Sequence, residues 1–367
     1  MGEVKPFVDV IDQRIADFFR SVSVDVARIS PDLAPLVEYS QLLLKGGKRF
    51  RARFCYWGWR AVAHQHDHSS ALTDTSAVTS LATALEVFHA AALVHDDIMD
   101  NSDTRRGDPS AHRWFEARHQ SHRFAGDAFH YGQSTALLVG DLLLAWSDEL
   151  LNEAVSAVET PSQQVATRRE YARMRSEVTL GQYLDIHEEA AWRTIPAREH
   201  YERSLRVVTY KSAKYSMEAP LRLGASLAGA TPGQLDQLSS FGLPLGIAFQ
   251  LRDDVLGVFG DPEVTGKPAG DDLREGKRTV LIALAEEHMS ASAKAVFADM
   301  LGDPDLTDEQ IAIMRSTLHD TGAVEQTEKV IQESVDRALT ALERTDISDE
   351  ARAELRRLAD IVTKRHS

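Results

Sequence analysis

Residues 88–107 read FHAAALVHDDIMDNSDTRRG, an apolar run closing on Asp96, Asp97 and Asp100. Apolar residues recur upstream at three- and four-residue steps, so Leu72–Met99 reads as one helix with the acids at its end. At ~100° per residue, Asp96 and Asp100 lie about 40° apart on one face, one turn from each other. Mg²⁺ suits such a pair: it takes one or two carboxylates, keeps waters and completes its shell with phosphate oxygens. The plain alternative is a solvated acidic helix end. The macrodipole disfavours acids there, so something must offset their repulsion, and a metal would.

A second acidic pair stands in FQLRDDVLG, Phe249–Gly257, and again ends an apolar helix, Leu238–Ala248. Gly242 and Gly246 permit close packing there, and Pro244 is expected to kink the axis. Two Asp-Asp pairs, each closing a buried-looking helix, are hard to dismiss. Facing each other, they would hold a cluster of Mg²⁺ ions around one diphosphate.

Helical stripes also cover Phe7–Val26, Thr135–Val158, Arg168–Glu188, Thr279–Leu301 and Glu325–Leu342. Alternating strand patterns are almost absent, and Thr231-Pro232 reads as an N-cap followed by proline at N1. No repeat or low-complexity tract interrupts the pattern. The expectation is all-α, one domain over residues 1–367. Asn101–Gln133, rich in His, Arg and Gly, lacks clean periodicity and reads as a long functional loop, a lid or substrate-binding segment.

The 367 residues carry a formal charge of −15, which argues against nucleic acid or an anionic membrane surface as partner. The N-terminal residues show no signal pattern. No uncharged apolar run approaches the ~20 residues of a membrane span; the best candidate, Ala136–Trp146, is short and contains Asp141. A cytoplasmic protein without stable membrane insertion is expected. Cys55 is the only cysteine, which excludes internal disulfides and reads as a buried core residue.

Against this acidic background the cations cluster. Lys45-Gly46-Gly47-Lys48-Arg49-Phe50-Arg51 opens a helix running to Ala63, where backbone N–H groups and side chains suit an anion. Lys48 and Arg51, three apart, can converge on one phosphate. Arg105 and Arg106 follow the first acidic motif directly; as neighbours they cannot both point one way, so each can serve a different diphosphate. Lys211-Ser212, Lys267 and Lys277 lie beside the second. Taken singly, each lysine reads more simply as a surface charge.

Assembled in order from about Tyr39 to Ala285, these pieces resemble the trans-isoprenyl diphosphate synthases, the polyprenyl synthetase family. GGKRFR, FHAAALVHDDIMDNSDTRRG, GDLLLAWSDELL, GQYLDI, YKSAKYS, FQLRDDVLG and GKPAGDDLREGKRT carry the resemblance. It implies an all-α bundle of helices around a deep central cavity, the isoprenoid synthase fold, usually in a homodimer. It implies head-to-tail condensation of isopentenyl diphosphate with an allylic diphosphate. By the same resemblance Asp96 and Asp100 bind two Mg²⁺ ions and Asp253 a third, with Asp97, Asp254, Gln182 and Asp185 as their surroundings. Lys48, Arg51, His89 and Arg106 match the isopentenyl diphosphate site. Arg105, Lys211, Ser212, Gln250, Lys267 and Lys277 match the allylic site, with Lys211 also counted among the catalytic groups. His89 precedes Asp96 by seven residues on nearly the same helix face.

Charge developing on the departing diphosphate is then stabilised by metal and cations as the allylic bond ionises. The isopentenyl double bond attacks, and an apolar cavity excludes water. Gly257 departs from the family's usual last Asp of the second motif, which leaves metal affinity or chain length open. Ala92 and Phe88 sit about 6 and 12 Å below Asp96 along the axis. Small Ala91 and Ala92 above a bulky Phe88 favour a C20 product, with C15 or longer chains as alternatives. A class I terpene cyclase has no need of GGKRFR or the arginine pair. A non-catalytic partner subunit would typically have lost acidic motifs.

Overall fold

Thr231 starts its helix as the sequence requires. Its hydroxyl accepts from the Gln234 N–H, the Gln234 side chain reaches back, and Pro232 opens the first turn. The helix runs through Pro244 to Phe259 without a break. The computed structural model describes residues 6–63, 75–260 and 270–363, and helix dominates them. In chain order we label α1 Phe7–Ile29, α2 Ala34–Leu43, α3 Phe50–Ala63, α4 Ser76–Met99, α5 Ala111–Ser121, α6 Ala128–Ser156 and α7 Pro161–Ala191. There follow α8 His200–Val207, a π-helix Val208–Glu218, α9 Ala219–Leu227 and α10 Pro232–Phe259. The rest is α11 Asp271–Glu275, α12 Val280–His288, α13 Ala291–Met300, α14 Asp308–Asp320, α15 Ala323–Arg344 and α16 Asp349–Thr363.

The chain forms two compact units: residues up to Arg168 with Leu223–Ala230, and Arg169–Arg222 with Thr231 onward. In the first, α4 is the central element, packed along α6 and against α3 and α1. Leu81, Leu85 and Val87 are fully buried, so Leu85→Ala would cost about 2–5 kcal/mol. Among the described residues it is α4, rather than Ala136–Trp146, that is long and apolar enough to cross a membrane, yet 78% of its apolar window is buried inside the protein. It is a core helix. Cys55 is buried too, and burial pushes its thiol pKa up.

In the second unit α10 packs on the π-helix and on α15. Its Ala248, Leu251 and Val258 join Leu281 and Ile282 of α12, Met314 of α14 and Ile331 of α15 in one core. Gly246 allows this: an ideal Cβ there would lie 2.4 Å from the Ala213 carbonyl oxygen of the π-helix.

The structure departs from the sequence reading in several places. Asp253 and Asp254 do not close their helix, since α10 runs on past them to Phe259. Asn101–Gln133 is largely ordered, holding a short hairpin, α5 and the first turn of α6. The stripe of α5 was hidden because two of its buried positions are His112 and His119. Thr279–Leu301 is two helices, since the Ser290 hydroxyl accepts from Ala293 N–H and caps a new start.

Candidate functional site

The first acidic motif lies in the first unit. Asp100 caps α4, its N–H donating to the Asp96 carbonyl at 2.8 Å, so the two acids stand one turn apart. Asp97 points inward and is 1% exposed. Thr104–Arg105 pairs with Asp108–Pro109, turning through Arg106 and Gly107 at φ +56° and +84°, the positive pair of a type I′ hairpin. The arginines therefore diverge. Arg105 Nε donates to Asp97 at 2.9 Å, and its Nη2 contacts Asp97 closely and lies 3.7 Å from Asp96. Arg106 Nη1 donates to the Leu43 carbonyl at 3.2 Å and lies against Gly47.

That Gly46–Gly47 turn is braced by Arg49, which the sequence reading had not placed. Arg49 takes φ +51°, a setting that costs a non-glycine residue about 1–3 kcal/mol. Its guanidinium, 5% exposed, pairs with Asp12 at 2.8 Å and Glu86 at 3.3 Å and donates to the Leu44 carbonyl. Glu86 also accepts from Ala52 N–H at 3.1 Å. Lys48 stays exposed in the turn and Arg51 is half-buried in the first turn of α3. His89 keeps some surface, but burial pushes its pKa well below the usual imidazole value, and Arg51, Arg106, Arg105 and Arg49 push the same way. Arg106 is itself lowered, first by burial and then by Arg49. Two of these four arginines carry their own counter-ions, Arg49 in Asp12 and Glu86 and Arg105 in Asp97; Arg51 and Arg106 add to the positive field at His89.

The second acidic motif lies in the second unit. Gln250 Nε2 donates to Asp254 Oδ1 at 2.8 Å. Asp254 is 6% exposed, and its Oδ2 is buried with no hydrogen-bond partner. Its pKa is raised well above the usual carboxylate range by burial first, then by Asp272, Asp253 and Asp185, against the Gln250 hydrogen bond. Lys211 and Ser212 sit in the π-helix, a winding often found at functional sites. Lys211 Nζ pairs with Asp185, and Lys277 Nζ reaches Asp185 at 3.4 Å and Glu189 at 3.1 Å. Gln182, one turn before Asp185 on α7, is half-buried. Lys267 lies outside the described residues.

Residues 34–317 match the sequence profile of the polyprenyl synthetase family. The chain belongs to that family. A geranylfarnesyl diphosphate synthase of Aeropyrum pernix is 29% identical over 357 residues, 97% of this chain and 99% of its own. A geranylgeranyl diphosphate synthase of Sulfolobus acidocaldarius is 31% identical over 285 residues, 77% and 76% of the two chains. The crystal structure of a geranylgeranyl pyrophosphate synthase of Corynebacterium glutamicum, complexed with isoprenyl diphosphate and magnesium, superposes with a TM-score of 0.91 at 40% identity, covering 98% and 99%. This polyprenyl synthetase is accordingly a trans-prenyl transferase, adding isopentenyl diphosphate head-to-tail to allylic diphosphates.

The residues present fit magnesium. The donors beside each motif are carboxylate oxygens, and the partnerless Asp254 Oδ2 beside Asp253 and Asp272 has a use for a cation. Asp272 was missed in the sequence, although it stands in the quoted GKPAGDDLREGKRT block. Tyr39 was missed as well: buried under the hairpin, it donates to the Pro109 carbonyl at 3.3 Å, and its pKa is raised by burial and then by Asp97.

Proposed function

We propose that this polyprenyl synthetase makes geranylgeranyl diphosphate, C20, with three Mg²⁺ ions per reaction, and works as a homodimer. The observation that supports the site reading is the Gly46–Gly47 turn with Arg106 laid against it, close to a His89 that burial and then Arg51, Arg106, Arg105 and Arg49 keep from taking up a proton. Lys48, Arg51, His89 and Arg106 bind isopentenyl diphosphate there. The neutral imidazole holds a phosphate oxygen through a hydrogen bond, while Arg51 and Arg106 supply charge. Arg105, Lys211, Ser212, Gln250, Lys267 and Lys277 bind the allylic diphosphate. Asp97 orients Arg105, and Asp185 gathers Lys211 and Lys277, so each set of cations is held in place within its own unit.

Asp96 and Asp100 would hold two of the metal ions and Asp253 the third, with Asp254, Gln182 and Asp185 around them. The chemistry magnesium supplies when bound is neutralisation of the diphosphate's charge. C–O cleavage at the allylic carbon releases diphosphate. The isopentenyl double bond then forms the new C–C bond, and a proton leaves to the released diphosphate.

Chain length is read from α4. Phe88 is 4% exposed and Ala91 fully buried, while Ala92 keeps some surface. Ala92 is thus the wall and Phe88 the floor, which supports C20. The Aeropyrum geranylfarnesyl diphosphate synthase makes C25 the second reading. Product analysis with isopentenyl diphosphate and dimethylallyl, geranyl or farnesyl diphosphate in turn tests both. A C15 end point would exclude both, and no product from any starter would sink the synthase reading. Self-association is supported by apolar side chains left exposed on α6 (Leu137, Leu138) and on α7 (Leu180, Tyr183, Ile186). Light scattering behind size exclusion would show twice the chain mass, and a monomer at micromolar concentration would contradict it.

A further inference from the structure

Within the second unit, one face of α7 engages the segment from α8 to α9 through a regular series of contacts. Glu170 holds Arg222 at 2.9 and 3.0 Å, Glu177 holds Lys214 at 3.0 Å, Asp185 holds Lys211, and Glu188 holds Arg203 at 2.7 and 2.9 Å. Glu177, Gly181 and Asp185 follow at steps of four, one above another on the helix. At the middle step there is no side chain. An ideal Cβ on Gly181 would meet Lys211 N at 2.3 Å, the Tyr210 carbonyl carbon at 2.5 Å and Lys211 Cα at 2.7 Å. These are backbone atoms of the π-helix and cannot swing aside. From α10, Gly246 approaches the backbone of Ala213 in the same way, its ideal Cβ 2.7 Å from Ala213 Cα. The π-helical backbone is therefore held without slack at Lys211 and, two residues on, at Ala213.

We propose that Gly181 is a positioning residue for the allylic diphosphate: by letting α7 touch the π-helical backbone, it fixes Lys211 and hence the spacing of Lys211 and Lys277 on Asp185. This rests on the reading of Lys211 as an allylic-diphosphate ligand. One methyl group at position 181 must push the Lys211 backbone away from α7. Its ammonium group then no longer shares Asp185 with Lys277, which lies 3.4 Å from that carboxylate, in the same geometry. Glu177 acts in the same sense by tying down Lys214, three residues further along.

The test is steady-state kinetics of the full chain with geranyl diphosphate and isopentenyl diphosphate. Gly181→Ala, Glu177→Gln and Lys211→Ala are compared singly, and the first two again in the Lys211→Ala background. Gly181→Ala should raise the KM for geranyl diphosphate roughly tenfold, the scale of one displaced charge-assisted contact, and leave that for isopentenyl diphosphate within about twofold. In the Lys211→Ala background it should change the allylic KM by less than about twofold, the signature of acting through Lys211. Glu177→Gln adds no bulk and should show a smaller allylic effect with the same silence behind Lys211→Ala. It carries the test if Gly181→Ala does not fold. The same factor in both backgrounds, or parallel rises for both substrates, would overturn the proposal. An unchanged allylic KM in Lys211→Ala alone would instead overturn the ligand reading of Lys211, and the proposal with it.

Discussion

The Asp272 carboxylate occupies the space that a side chain at Gly257 would need: an ideal Cβ there would lie 2.0 Å from Asp272 Oδ2. A side chain at position 257 would therefore have to displace the Asp272 carboxylate. The acid that fills this space comes from α11. Restoring the motif should therefore do harm. Gly257→Asp is expected to displace Asp272 and raise the Mg²⁺ concentration for half-maximal activity by roughly 10–100-fold, the usual scale for disturbed outer ligands of a metal. Gly257→Ala should act in the same direction. Titration of turnover against Mg²⁺ decides it, and unchanged or tighter metal dependence in Gly257→Asp would refute the packing argument.

Both acidic motifs should be indispensable. Asp96→Ala and Asp253→Ala are each expected to lower turnover by several orders of magnitude, since charge on the leaving diphosphate loses its neutralising ion. Circular dichroism should remain native, because both side chains are only half-buried. Full activity of either variant, or of the wild type in excess chelator, would remove the metal assignment.

Much of this was legible before the structure. Periodicity located the helices, and the motifs singled out Asp96, Lys211 and Asp253 as candidates. Less visible was whatever depends on approach between segments distant in sequence. Nothing in the string LGQ says that Gly181 meets the backbone of Lys211, or that Gly257 makes room for Asp272. Arg49 read as one more cation of a basic turn, and only its contacts with Asp12 and Glu86 reveal a brace. The boundaries of the two units at Arg168 and Arg222 fall inside helices, so no linker composition marks them.

The two substrates should separate by mutation. Arg51→Ala and His89→Ala should mainly raise the KM for isopentenyl diphosphate, and Lys211→Ala that for the allylic substrate. Each loss should amount to roughly 1.5–3 kcal/mol. Equal effects on both substrates from every variant would contradict the division.

His89 also gives a pH signature. Its pKa is depressed in the folded chain, against about 6.5 when unfolded. The stability linked to neutral His89 is therefore fully present above pH ~6.5 and is lost as pH falls toward the depressed value. Wild type should lose melting temperature between pH 7 and pH 5 more steeply than His89→Gln. Inorganic pyrophosphate should flatten the wild-type curve, because an anion beside the imidazole favours its protonated form. Parallel curves for the two proteins would show that His89 does not titrate as described.

The product should shorten or lengthen according to two positions on α4. If Ala92 lines the space for the growing chain, Phe in its place fills volume the tail needs. A wall packed at interior density yields little, since overpacking costs ~1–3 kcal/mol. Ala92→Phe should therefore release a shorter prenyl diphosphate while the condensation still runs. Phe88 is buried one turn further down, and Phe88→Ala should open the floor and lengthen the product. Ala91, fully buried, is the weaker candidate for either effect. The opposed pair matters, because a general loss of activity can mimic shortening but cannot produce a longer chain. Chromatography of the dephosphorylated products from wild type and both variants reads the result. An unchanged distribution in both would place the length determinant on another helix.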